Sequence, residues 1–375
     1  MYGTVAFHGV TKKLASVSPS RFIGLKACAL REVWAASGNV ALLPVSPKAR
    51  IGVVTHELLN EAGRGELPTD RASIEGKWFE KVRKAEMEMQ RSPTEQHLVP
   101  VSRSVPDLEV RKIRAVQSAL AVAEERSATN RAAGAPGGIP AYGFEIPVKS
   151  ADGLIRGFID RVLPTAEGPL IRDYKSGAIF AHADREHLEP KQEYQVQLKM
   201  YAALYAETFN DWPTKLEVAP LSGSSISVPF SPEECAGLVR EARRLLEEIN
   251  VIISSKPPEE LPRYLGHAGP ENCSFCQYRP ACPIYRSATK NAQDGWPVDV
   301  LGIVEDIKQL GNSKTLLRVE ADGETANIPG LAGASRHPAL RTLKQGDAIA
   351  IFSLSQSRGN NSYSETQLTT IYNLG

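Results

Sequence analysis

The stretch IRDYKSG, Ile171 to Gly177, ends an apolar run with an acidic and a basic residue two positions apart. Side chains alternate along a strand, so Asp173 and Lys175 share one face if this run is extended. Such a pair is either an ordinary solvated ion pair or half of a metal-dependent hydrolytic site. A second carboxylate, Asp160 in RGFIDRV, lies on the preceding apolar segment, with the turn signal AEG between the two. A hairpin there brings the carboxylates to neighbouring positions, where they repel unless a cation bridges them. Mg²⁺ and Mn²⁺ prefer oxygen ligands, and Mn²⁺ also accepts an imidazole. Lys175 cannot ligate while charged, but it can position water or stabilise charge that builds on a phosphate.

Other residues extend the constellation. Gln197 and Tyr201 are four apart in QEYQVQLKMYAALYAETF and share one helix face. His56 follows Gly52 in IGVVTHELL, and Glu145 sits in YGFEIPV. Each has a bland alternative: helix–sheet contacts for Gln197 and Tyr201, a satisfied structural histidine, a surface glutamate.

Together these residues resemble the PD-(D/E)xK nuclease superfamily, specifically its RecB-like branch. Asp160 matches the Asp that ends one strand, Asp173-Tyr174-Lys175 the (D/E)-x-K of the next, and Gln197 to Tyr201 the helix that follows. His56 and Glu145 match the upstream His and the acidic residue of the preceding strand. The resemblance implies a restriction-endonuclease-like α/β core. It implies Mg²⁺ or Mn²⁺ held by His56, Asp160, Asp173 and the Tyr174 carbonyl. It also implies in-line phosphodiester hydrolysis, with Lys175, Gln197 and Tyr201 completing the catalytic set.

Five cysteines are present, and three lie in CSFCQYRPACP, the form C-x2-C-x5-C-P. In a reducing compartment, Cys273, Cys276 and Cys282 offer three corners of a soft metal site rather than disulfides. Cys28 is the candidate fourth ligand, with zinc and iron–sulfur both compatible with four thiolates. Cys235 lies within a helical pattern and fits a small core residue. The arrangement is similar to the iron–sulfur branch of these nucleases, which includes CRISPR adaptation and AddB-type exonuclease domains. That resemblance implies a [4Fe–4S] cluster stapling the two ends of the core.

The elements around these residues follow a consistent order. Segments 20–37, 51–63, 72–92 and 106–128 have helical periodicity. Three short strands follow, then the Gln197 helix, two more strands and the helix opened by Ser231-Pro232. From Trp296 onward come five strands with a helix before the fourth, around HPALRTL, an order that matches an OB-fold barrel. The expected organisation is therefore a nuclease domain over 1–294, with a helical insertion at about 66–130, and an OB-like domain over 295–375.

The chain has 375 residues, 42% apolar and 23% charged, with a formal net charge of +1. That balance excludes a global field for nucleic acid, so any such site must come from local clustering. The segment 72–128 carries a candidate basic surface, Lys77, Lys81, Arg83, Lys84, Arg91, Arg103, Arg111, Lys112 and Arg114, with a mixed solvated face as the alternative. The barrel segment is poor in aromatic and net basic residues, so strand binding and protein docking stand level there. No apolar run reaches membrane-span length and no signal peptide is recognised, which makes a cytoplasmic location the expectation. The chain has no P-loop sequence, so a helicase or a defence-complex subunit would be a separate partner. Two functions compete: a DNA nuclease, with single-stranded ends as the expected substrate, and a DNA-binding assembly subunit whose cleavage is latent.

Overall fold

The computed structural model describes residues 5, 7, 9–129, 141–180, 189–221, 223–289, 295–311, 313–359 and 361–374. The chain opens with α1 (Pro19–Ala27) and α2 (Ala29–Ala36). The single helix expected over 20–37 is broken at Cys28. That residue is extended, with φ −159° and ψ 98°, and it caps α1 through its N–H to Gly24 O at 2.9 Å.

A helical layer follows. It consists of α3 (Pro47–Arg64), α4 (Arg71–Arg91), α5 (Val101–Ser104) and α6 (Leu108–Thr129). Pro47 occupies the first turn of α3, where its missing N–H costs nothing. Gly65 ends the helix in the left-handed region, φ 76°, which its lack of a Cβ permits. The stripe Ile51, Val54, Leu58, Leu59 and Ala62 packs with Ile74, Trp78, Val116 and Ala119 into one apolar cluster.

The central sheet is built from β1 (Gly143–Lys149), β2 (Arg156–Thr165) and β3 (Gly168–Lys175), which form an antiparallel meander. α7 (Gln192–Phe209) then crosses over so that β4 (Lys215–Pro220) pairs parallel to β3, and β5 (Ile226–Ser227) closes the edge. The strand order is β1-β2-β3-β4-β5. Parallel neighbours need such a crossover, which places α7 against the sheet. α8 (Pro232–Ser255) is capped by Ser231, whose hydroxyl accepts the Glu234 N–H, and covers α7. Cys235 is fully buried in this core, as expected of a small apolar residue.

Short helices α9 (Leu261–Leu265), α10 (Pro270–Ser274) and α11 (Pro283–Thr289) carry the cysteine segment. The C-terminal sheet contains β6 (Val298–Gln309), β7 (Thr315–Ala321), β8 (Glu324–Leu331), β9 (Ala348–Gln356) and β10 (Tyr363–Asn373). Its order is β10-β9-β6-β7-β8. A parallel bridge between Asn327 and Ser362 curls the two edges together, which is compatible with an OB-like barrel. The helix expected before β9 is only a 3₁₀ turn, Pro338–Arg341.

The barrel does not stand apart from the rest. Ala350 and Phe352 share a buried cluster with Val5 and Leu43. Tyr372 donates its hydroxyl to Leu42 O, and His97 Nε2 lies 2.8 Å from Gln367 O. Among the described residues no helix is long and apolar enough to cross a membrane.

Candidate active site

The β2–β3 hairpin sets the geometry of the acids. Val162 pairs with Ile171 and Arg161 with Arg172, so the register carries Asp160 opposite Asp173 one step beyond the ladder. The Tyr174 N–H donates to Asp160 Oδ2 at 2.8 Å and fixes that carboxylate across the strands. Asp173 is 2% exposed. Its carboxyl is pushed up to about 7 by burial and by the Asp160 charge, against the opposing pull of Lys175 and His56. Burial also raises Asp160, to about 6, with the Tyr174 N–H and Lys175 opposing. Two acids this destabilised as anions invite a cation.

Lys175 and Gln197 lock onto the same carboxylate. Lys175 Nζ lies 2.7 Å from Asp173 Oδ2. It also donates to Gln197 Oε1 at 3.0 Å, and Gln197 Nε2 donates to Asp173 Oδ1 at 2.8 Å. Gln197 reaches β3 because α7 crosses behind the sheet. Tyr201, one turn further along the same face, is coupled to Gln197. Burial first, then the charges of Asp160 and Asp173, hold its hydroxyl protonated. The Tyr194 ring, one turn before Gln197, lies 4.7 Å from Lys175 Nζ. Sequence reasoning passed over Tyr194, although its i, i+3 spacing from Gln197 puts it on the same face.

His56 comes from the opposite direction. A Cβ on Gly52, one turn earlier, would stand 3.1 Å from Ser176 Oγ, so α3 approaches the tip of β3 closely there. Burial, then the Lys175 charge, lowers the basicity of His56, and Asp173 opposes them. The imidazole is thus favoured in the neutral form that binds metals. Glu145 falls opposite Asp160, because Phe144 pairs with Arg161 and Ile146 with Ile159. It adopts φ +50°, a left-handed conformation rare for a non-glycine residue in a strand. Burial raises its carboxyl, whereas Arg64 and Asn60 of α3 stabilise the anion.

Whether these groups suit a divalent ion is tested by Asp173 Oδ2. That atom is buried and meets the Lys175 ammonium at 2.7 Å. A second carboxylate across the hairpin and an imidazole within electrostatic reach make these groups a hard donor set, which fits Mg²⁺ or Mn²⁺. As the side chains stand, no group of three or more His, Cys, Asp or Glu residues converges into a metal cage among the described residues.

Cys28, from the start of the core, lies within electrostatic reach of the three cysteines near its end. Burial raises the thiols of Cys273, Cys276 and Cys282, that of Cys276 to about 12, and Cys28 adds to the rise in all three. Asn272 Nδ2 donates to Ala27 O at 2.9 Å, tying the residue before Cys273 to the residue before Cys28. Arg279, between Cys276 and Cys282, donates to both oxygens of Asp299 on β6, and Tyr285 and the Ser353 N–H complete that carboxylate.

Four residues of the expected basic path on the helical layer are paired with carboxylates of that layer. Lys77 pairs with Glu80, Lys81 with Glu61, Arg111 with Asp107 and Lys112 with Glu109. That layer instead buries its apolar stripe beneath the sheet.

A model of the PD-(D/E)XK nuclease superfamily matches residues 16–283, a span that contains the acids, Lys175, Gln197 and all the cysteines but none of the barrel. No curated protein matches the chain.

Proposed function

The chain belongs to the PD-(D/E)XK nuclease superfamily, and from that premise we propose that it is a deoxyribonuclease that trims single-stranded DNA ends. Members of this superfamily are metal-dependent nucleases and typically use Mg²⁺ or Mn²⁺. The observation that carries the reading is the Asp173 carboxylate, buried opposite a second acid and gripped by Lys175 and Gln197.

Asp160, Asp173, His56 and the Tyr174 carbonyl would hold the ion, which supplies Lewis acidity and lowers the pKa of bound water. Gln197 fixes the Asp173 carboxylate through one amide atom and orients Lys175 through the other. Lys175 is thereby presented as a preorganised cation for the attacking water or the negative charge on the phosphate. Tyr201, buried one turn along α7, hydrogen-bonds with Gln197 and completes this face of the site. The iron–sulfur branch is the finer assignment. It is supported by Cys28 lying within electrostatic reach of Cys273, Cys276 and Cys282. A [4Fe–4S] cluster there would staple α1 and α2 to the segment after α9. The barrel joins this assembly as a docked module, with the proposed boundary near residue 295.

Labelled single strands and duplexes incubated with wild type and Asp173→Asn, in Mg²⁺ and Mn²⁺, test this directly. Metal-dependent cleavage of single strands by wild type alone is the expected result. Intact substrate under all conditions would instead favour a binding subunit.

A further inference from the structure

A groove of about 1020 Å³ is lined by both Lys175 and Gln197 of the active site and by Phe275, which lies between Cys273 and Cys276 in sequence. Phe275 is 87% exposed, the most exposed large apolar side chain among the described residues. Its ring is therefore open to solvent, with a face free to meet a ligand in the groove. The Tyr194 ring, also on the groove, faces Lys175 Nζ at 4.7 Å and Lys191 Nζ at 5.8 Å. Arg21 and Arg31 line the same groove. Glu32 holds both guanidinium groups, at 3.0 and 3.1 Å, so they are fixed in place rather than waving. Arg31 is further tied to Asn272 O at 3.3 Å.

We propose that this groove is the path of single-stranded DNA to the active site, with the Phe275 ring stacking on an unpaired base. The inference rests on the nuclease reading and adds the route and its anchor. Aromatic rings accept any unpaired base by its face, whereas bases within a duplex have no free face to offer. Four cations line the groove, Arg21, Arg31, Lys175 and Lys191, against the carboxylates Glu32, Glu193 and Glu271. The near balance means that stacking, more than phosphate contact, carries the affinity, and the salt dependence is shallow.

The test uses the full chain without added divalent ion, a fluorescein-labelled single strand and a duplex of the same sequence, with anisotropy as the readout. Phe275→Ala should bind the single strand about tenfold more weakly, the scale of losing one stacked base. Phe275→Trp should restore binding, and the salt slope should not change between them. Photocrosslinking from an iodouracil-substituted strand should mark the peptide containing Phe275. Equal affinity of Phe275→Ala and wild type, or crosslinks confined to the barrel or the helical layer, overturns the proposal. If wild type cleaves single strands while Phe275→Ala binds them normally, the groove is wrong and the nuclease reading stands. If wild type binds no single strand, the groove is wrong. If it also cleaves none under the metal conditions given above, the nuclease reading fails separately.

Discussion

Arg279 and Asp299 form an ion pair at 2.8 Å in which both side chains are 4% exposed. One partner belongs to the cysteine segment and the other to β6, so the pair fastens the barrel to the base of the thiol cluster. Arg279 also donates to Ser353 Oγ on β9 at 2.6 Å, which adds a second barrel strand to the joint.

Removing one side of this joint leaves a buried charge alone. Asp299→Ala should therefore lose about 3–5 kcal/mol of stability, measured by urea unfolding. Pairing it with Arg279→Met should recover a large part of that loss. The sequence pattern alone suggests that a chain cut before Trp296 keeps a folded nuclease core and loses strand binding or partner recruitment. The buried joint, with the Val5–Phe352 cluster, predicts that the truncated chain melts well below the intact protein. Equal melting temperatures would refute the coupling.

Lys175→Ala should cut single strands about a hundredfold more slowly or worse, the scale of removing one preorganised electrostatic group. It should keep metal binding, read as thermal stabilisation by Mn²⁺. Asp173→Asn should lose both cleavage and that stabilisation. A surface ion pair would behave differently, with at most about 1 kcal/mol lost and cleavage intact.

The acids also predict a pH signature. Asp160 and Asp173 have folded-state values of about 6 and about 7, above the ordinary aspartate value of about 4. Between about pH 4 and 7 the folded state thus holds more protons than the unfolded state, and stability from these groups falls as pH rises. A divalent ion replaces those protons. Mn²⁺ should accordingly raise the melting temperature more at pH 8 than at pH 5.5. Asp173→Asn without metal should be at least as stable as wild type at pH 8. Calorimetry in buffers at both pH values checks the pair, and an equal Mn²⁺ shift at both would contradict it.

Anaerobically purified protein should be brown, with absorbance near about 400 nm from thiolate–iron charge transfer. Cys28→Ser should bleach it and lower the melting temperature, because the staple then opens. Colourless protein with stoichiometric zinc would keep the four-thiolate site and change the metal.

The acidic hairpin was legible in the sequence because its rule is local. Alternation along β3 puts Asp173 and Lys175 on one side, and a short turn returns β2 so that Asp160 meets Asp173. The Gln197–Tyr201 face, the cysteine spacing and the five-strand order of the barrel follow from short periods in the same way. The break at Cys28 was missed. The apolar pattern runs straight through it, and only the contact between Ala27 and Asn272, from the far end of the core, shows why the helix must turn there.

What only the tertiary structure decided depends on long-range packing. The sequence determined that Gln197 lies on a helix face. The crossover from β3 to β4 decided that this face meets Asp173 and Lys175, because a parallel connection swings α7 across the sheet. Likewise, the basic residues of α4 and α6 are plain in the sequence, but the packing of α3 beside α4 brings Glu61 to Lys81 and consumes that charge. Arg279 beside Asp299, and Phe275 left in water on a groove, have no local signature at all. Neither residue's neighbours in sequence fix its neighbours in space, since those are set by how separately folded elements dock.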